Sequence, residues 1–279
     1  MITISKVQAC QALVRSGIYR VDFCLNPYIG CEHNCLYCYA TFMGRWFHPS
    51  EDWGNFVDVK VNLPKILKKE IKLASGKVLL GSVTDPYQPL ELKFQITRKC
   101  LLAFLENYRQ SLFKDFSNWQ ISILTKSNLI LRDLDLLGEI PNLEVGLTIT
   151  SLEPQIASFF EPKAPAPSLR LEVLEELKKK GISTYAFFGP ILPYFSDKPD
   201  SLFKIIKRIK EAGVSYIFVD KLNHIYGKTK ARLFPIYKRE GEDAEKIFRY
   251  AQSEKYVKEL RKNLQDVLAK IKIKAKILF

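Results

Sequence analysis

Between residues 56 and 220 the chain repeats one alternation: an apolar run of strand length, then a segment that is amphipathic at helical spacing. The strand-like runs are FVDVKV (56–61), KVLLGSV (77–83), ISILTK (121–126), LEVGLTI (143–149), STYAFFG (183–189) and SYIFVD (215–220). Between them lie LPKILKKEIKLA, ITRKCLLAFLENY, LILRDLDLLGEI, SLRLEVLEELKKK and SLFKIIKRIKEA, with Gly181 and Gly213 where helix C-caps belong. Continuous apolar strands are buried on both faces, so the pattern predicts a parallel sheet covered by helices, either a barrel or an open doubly wound sheet. In both, ligand-binding residues gather at the C-terminal ends of the strands.

A second feature is chemical. The stretch NPYIGCEHNCLYCYA (26–40) holds three of the chain's six cysteines, Cys31, Cys35 and Cys38. The N-terminus has no apolar core behind a basic start, and no apolar run reaches the ~18 residues of a membrane span. A cytoplasmic protein without membrane attachment is therefore expected. There thiols stay reduced, and a cysteine cluster binds metal rather than forming disulfides. Three thiolates on one loop can hold three irons of a four-iron cluster and leave the fourth open. A structural zinc wants four ligands and would need His33 or a distant fourth. His33, His48 and His224 show no metal-ligand spacing among themselves. Cys10 and Cys100 read as structural, and Cys24 as a thiol near the site without an assigned role.

The net charge of +13 favours an anionic partner, a nucleic acid or a phosphorylated cofactor, although a lysine-rich thermophile surface produces the same excess. The cations concentrate in 221–239, KLNHIYGKTKARLFPIYKR, where they alternate with aromatics that could stack on bases. This segment reads as a basic loop, followed by a helix over about 242–268. In the tail KIKIKAKILF lysines alternate with apolar residues, the pattern of an edge strand whose charges discourage further pairing.

CEHNCLYC fits CxxxCxΦC, and on it the sequence resembles the radical S-adenosylmethionine (SAM) enzymes. With SVTDPYQPLE and ILTKSNLILRDLDLL it is similar to the branch related to spore photoproduct lyase, in consistent order from about residue 20 to 220. The resemblance implies a partial (β/α)6 TIM-like barrel over 1–220, with the cluster loop after the first strand and 221–279 as a basic and helical extension packed on it. It implies a [4Fe-4S] cluster on Cys31, Cys35 and Cys38 whose open iron chelates S-adenosylmethionine. Reductive cleavage, fed by a donor such as flavodoxin or ferredoxin, would give a 5′-deoxyadenosyl radical that abstracts hydrogen from the substrate.

On the same resemblance Tyr37 lies near the adenine, Thr84 and Asp85 near the methionine end, Lys126 serves the cofactor carboxylate and Thr148 reaches the ribose or methionine. Arg170, at a helix start, could pair with a carboxylate but reads more simply as an exposed arginine. The branch also implies a catalytic tyrosine at Tyr39, part of a relay that returns hydrogen to the substrate. Ser82 stands where those lyases carry the cysteine of that relay, so efficient spore photoproduct repair is not expected. The substrate expected is DNA or RNA, through 221–239. The alternatives are radical modification of a peptide or small metabolite, or a non-catalytic, zinc-stabilised nucleic-acid-binding module.

Overall fold

A computed structural model of the chain describes residues 2–110, 119–223, 225–241 and 243–279; His224 lies outside the described residues. The elements run β1 (Thr3–Val7), β2 (Val14–Arg15), β3 (Phe23–Leu25), β4 (Tyr28–Ile29), α1 (Phe42–Phe47), β5 (Phe56–Lys60), α2 (Leu63–Glu70), β6 (Gly76–Leu80), α3 (Glu91–Phe94), α4 (Ile96–Gln110) and β7 (Trp119–Thr125). Then come α5 (Leu134–Leu137), β8 (Leu143–Ile149), α6 (Pro154–Phe160), α7 (Pro167–Lys179), β9 (Ser183–Ile191), α8 (Pro199–Glu211), β10 (Tyr216–Lys221), α9 (Gly227–Arg239), α10 (Ala244–Ala251), α11 (Glu254–Ile271) and β11 (Ala275–Ile277).

The main sheet has the order β11-β10-β9-β8-β7-β6-β3-β2. Every pairing from β3 to β11 is parallel, and only β2 runs antiparallel to its neighbour. Six strands, β3 and β6 to β10, thus form the expected partial barrel, with β2 and β11 as its edges and no closure between them among the described residues. The edges nevertheless approach one another: Nζ of Lys276 on β11 stands 3.8 Å from the ring centre of Tyr19, just beyond β2. The lysine-studded tail is the edge strand its alternation predicts.

FVDVKV is not a barrel strand. As β5 it sits in a second, three-stranded sheet between β1 and β4. The barrel instead begins with β3, whose three residues are too few to show periodicity in sequence. The segment 221–239 is also not a loop, since most of it is α9. Thr229, Leu233 and Tyr237 recur every fourth residue and are buried, so the helix is amphipathic beneath its lysines. The single helix expected over 242–268 is two, α10 and α11, parted where the hydroxyl of Ser253 accepts from the Tyr256 N–H at 3.2 Å and caps the second.

Inside the sheet, Gly146 on β8 faces Tyr185 on β9 in register. Tyr185 fills the space the glycine leaves, takes a hydrogen bond from Ser122 at 3.1 Å and stacks on Tyr216 at 5.3 Å. A Cβ on residue 146 would come within 2.2 Å of that ring. Gly146→Ala should therefore cost about 1–3 kcal/mol by overpacking, read by urea denaturation. Adding Tyr185→Leu should recover part of that loss, whereas Gly181→Ala, at a position with open space, should show no such recovery.

Candidate cluster and cofactor site

The cysteine loop follows β3 and β4 and has no regular structure until the 3-10 turn at Tyr39–Thr41. Its path depends on close backbone approach. Gly30 has φ +89°, and a side chain there would meet the Phe56 carbonyl at 2.3 Å. Asn34 is left-handed at φ +52°, and its amide lies where Gly54 would carry a Cβ. Cys31 and Cys35 are buried and Cys38 is half-buried. Burial raises all three thiol pKa values, Cys35 up to about 12, so without a cation to ionise them they stay protonated. Among the described residues no three His, Cys, Asp or Glu side chains converge as around a single ion. A cubane takes each thiolate on a different iron, and three unpaired thiols on one loop supply such a set. The donor set fits a cluster.

The turn after β6 staples one side of the loop. Thr84 donates to the Gly30 carbonyl at 2.5 Å. Gln88 accepts from the Glu32 N–H at 2.9 Å, and Glu32 accepts from the Leu90 N–H at 2.6 Å. Asp85 is buried, and its carboxylate is filled by this chain. One oxygen accepts from the Tyr87 N–H and the Thr125 hydroxyl, at 2.9 and 2.6 Å. The other accepts from the Lys126 N–H at 2.8 Å and pairs with His33 Nδ1 at 3.3 Å. Burial would raise its pKa, but the His33 charge and hydrogen bond, then Thr125 and Lys126, hold it down to about 2.

On the other side stands a buried ion pair. Glu161 accepts from the Tyr37 hydroxyl, from Thr150 at 3.1 Å and from the Arg170 guanidinium. Arg170 also donates to the carbonyls of Thr148 (3.0 Å) and Pro165 (2.8 Å). Arg170 is therefore not the exposed residue that its place at a helix start suggests; it is fully buried. Against burial, the charges of Arg170 and Lys126 and the hydrogen bonds of Arg170 and Tyr37 lower the Glu161 pKa. Lys126 follows β7 directly, with Nζ 5.6 Å from the Tyr37 ring centre. Tyr37 thus binds this buried carboxylate directly, Lys126 acts on it through charge and Thr148 is linked to it only by its carbonyl on Arg170; the sequence reading missed Glu161. Glu161 is a lone acid after an apolar run, and nothing local shows that its partner lies nine residues on.

Tyr39 and Ser82, both singled out in sequence, touch: the tyrosine hydroxyl donates to the serine carbonyl. The Ser82 hydroxyl takes a hydrogen bond from Asn26 at 2.9 Å, and Cys24 on β3 donates to Ser16 at 3.5 Å. Beside Tyr39 opens a cavity of about 190 Å³ lined by Tyr39, Phe42, Arg45, Tyr226 and Lys228. Several other cations of 221–239 are engaged elsewhere. Lys230 pairs with Glu245 at 2.8 Å, Arg232 bonds to Asn34 and Arg239 lies over Phe159. Tyr237, expected among the stacking aromatics, is buried.

Glu161→Gln leaves the Arg170 charge buried without its counter-ion, which should cost roughly 3–5 kcal/mol of stability. Chemical denaturation of Glu161→Gln, Arg170→Leu and Glu161→Leu/Arg170→Leu checks this, and the double change should cost less than the sum of the singles.

A model of the Radical SAM superfamily matches residues 25–204. An uncharacterised protein of Methanocaldococcus jannaschii is 39% identical over 197 residues, 70% of this chain and 70% of that protein. The fold is similar to that of spore photoproduct lyase complexed with dinucleoside spore photoproduct, with TM-score 0.73 and 14% identity over 99% of this chain and 82% of that one. It is also similar to Streptococcus suis SuiB bound to S-adenosylmethionine, with TM-score 0.59 and 12% identity over 91% of this chain and 49% of that one.

Proposed function

Because the chain belongs to the radical SAM superfamily, we propose that it is an enzyme of that chemistry acting on nucleic acid, with Cys31, Cys35 and Cys38 holding a [4Fe-4S] cluster beside S-adenosylmethionine. When bound, the cluster supplies the electron that cleaves S-adenosylmethionine to methionine and a 5′-deoxyadenosyl radical. An external one-electron donor of the flavodoxin or ferredoxin kind must reduce it.

This chain's residues hold and shield the cofactor. Lys126 supplies the cation for its carboxylate, Tyr37 an aromatic face near its adenine, and Thr84 and Thr148 line its approach. Asp85 spends its oxygens on His33, Thr125 and Lys126, so it serves the cofactor by fixing those three rather than by taking its ammonium group. Tyr39 is the candidate catalytic residue. Its phenol lies on the Ser82 carbonyl, beside the cavity; a hydrogen atom given from it to a substrate radical would leave a phenoxyl radical, which the external one-electron donor and a proton would then restore to the phenol.

The observation that carries the nucleic-acid reading is the cavity beside Tyr39. Phe42 and Tyr226 offer ring faces to a base, while exposed Arg45 and Lys228 offer charge to its phosphates. Trp46, 79% exposed, extends this aromatic surface along α1.

Two outcomes are expected. Anaerobic reconstitution should give a brown protein with about four irons per chain. Changing Cys31, Cys35 or Cys38 to Ala should abolish both the iron and the formation of 5′-deoxyadenosine, whereas Cys100→Ala should retain both. Full cleavage by Cys35→Ala would sink the assignment.

Binding of single-stranded DNA, followed by fluorescence anisotropy against salt, tests the substrate class. Tyr226→Ala should weaken it by roughly 5- to 100-fold. Arg45→Ala with Lys228→Ala should reduce the log–log salt slope by about 1.4. Lys230→Ala, whose cation is already paired, should change little. Parent-like binding by the double variant, or 5′-deoxyadenosine formation stimulated by peptides and not by DNA or RNA, would remove nucleic acid from the account.

A further inference from the structure

Two buried N–H groups near the cysteine loop have no hydrogen-bond partner among the described residues: Nη1 of Arg232 and Nε1 of Trp53. A buried donor left unpaired costs about 1–3 kcal/mol, and more when charged. Such groups are rare in native proteins and call for an acceptor. These two reach the loop from different parts of the chain. Trp53 is buried with Ile29, Cys31, Ala40 and Phe56, and Cys38 packs against that group. Its indole N–H already acts on the Cys38 thiol as a donor, lowering that thiol's pKa against burial, yet it meets no acceptor at full hydrogen-bond geometry. Arg232 belongs to α9, 198 positions from the loop residue it binds. Its Nη2 donates to the carbonyl and side-chain oxygens of Asn34, at 3.2 and 2.5 Å, directly before Cys35. Burial disfavours its charge, whereas Cys38 and Cys35, once ionised, and Asp52 lie close enough to favour it.

One nitrogen of the guanidinium therefore fixes the loop while the other is unspent, a division that the planar fork of arginine allows. We propose that Arg232 and Trp53 are hydrogen-bond donors to the cluster, unpaired in the protein alone because their acceptors are the sulfurs of the bound [4Fe-4S] group and its thiolates. This rests on reading Cys31, Cys35 and Cys38 as the iron ligands. Hydrogen bonds to the sulfurs and a nearby positive charge favour the more negative, reduced form, so both residues raise the reduction potential. They are positioning and tuning residues, and they do not touch the substrate.

The test is a reductive titration of anaerobically reconstituted protein, read by the low-temperature EPR signal of the reduced cluster. It compares the parent with Arg232→Gln, Arg232→Lys and Trp53→Phe, with iron per chain and thermal melting recorded beside it. At a fixed potential Arg232→Gln should lower the reduced-to-oxidised ratio about tenfold, which for one electron is ~59 mV. Trp53→Phe should lower it about threefold, the weaker effect of a neutral donor. Arg232→Lys keeps the charge and should recover most of the loss. Where Arg232→Gln retains no iron, Trp53→Phe decides. Midpoints equal to the parent's in iron-loaded Arg232→Gln and Trp53→Phe would overturn the proposal, leaving Arg232 a tie to Asn34 and Trp53 a packing residue. A parent chain that takes up no iron overturns the cluster reading itself, and this proposal with it.

Discussion

A loop that must present three thiols has no ladder of backbone hydrogen bonds to hold it, so side chains from the rest of the fold must do so. Here two buried carboxylates take that part. Asp85 binds His33 from inside the loop and the end of β7 at once, and Glu161 binds Tyr37 and is held by Arg170. Each acid is filled by donors from distant segments, so neither can move without leaving a buried charge or donor unpaired. The cost of breaking either arrangement is what makes an irregular loop rigid. Rigidity would matter to the proposed cluster, whose ligands must keep their spacing as its charge changes.

The stretches that resemble the spore photoproduct lyase branch owe much of their pattern to this framework. In DPYQPLE, Tyr87 donates to Asp133 at 3.1 Å, and Glu91 accepts from the Thr97 and Arg98 amides at 3.0 and 3.1 Å. In ILTKSNLILRDLDLL, Arg132 reaches Glu91 and Asp133, at 3.1 and 2.8 Å. Glu91 and Asp133 are fully buried. These side chains are spent on one another. They join the turns after β6 and β7, and so set where Asp85 and Lys126 stand.

The parallel order of β6 to β10 was legible because each strand is long enough for its apolar run to stand out, and the cysteine spacing named its own chemistry. What stayed hidden depended on contacts far apart in sequence or on elements too short for a period. Phe23–Leu25 has three residues, and only its pairing with β6 makes it a barrel strand. Arg170 looks like a solvated residue until Glu161 is known to face it. The lysines of 221–239 drew attention to charge, while Leu233 and Tyr237, which decide that the segment is a helix, are ordinary in composition and visible only at helical spacing. Asp85 was singled out in the sequence, but its saturation by four donors is a three-dimensional fact.

The part of the chain beyond the match to the superfamily model, which ends at residue 204, is tied to the same loop. Tyr237 on α9 donates to the Pro193 carbonyl at 3.1 Å and meets the Phe160 ring edge-on at 6.0 Å. The carbonyl of Phe160 accepts from the Leu36 N–H, between Cys35 and Cys38, at 2.8 Å. Packing of α9 is thus one side chain away from the cluster loop, and Arg232 makes the contact direct. The cavity beside Tyr39 is walled by Phe42 and Arg45 on one side and by Tyr226 and Lys228 on the other. Its first wall follows the cysteines and its second starts α9. The walls of this cavity therefore come jointly from the cysteine segment and from the start of α9, and a relative that shares only the matched region shares only one of them.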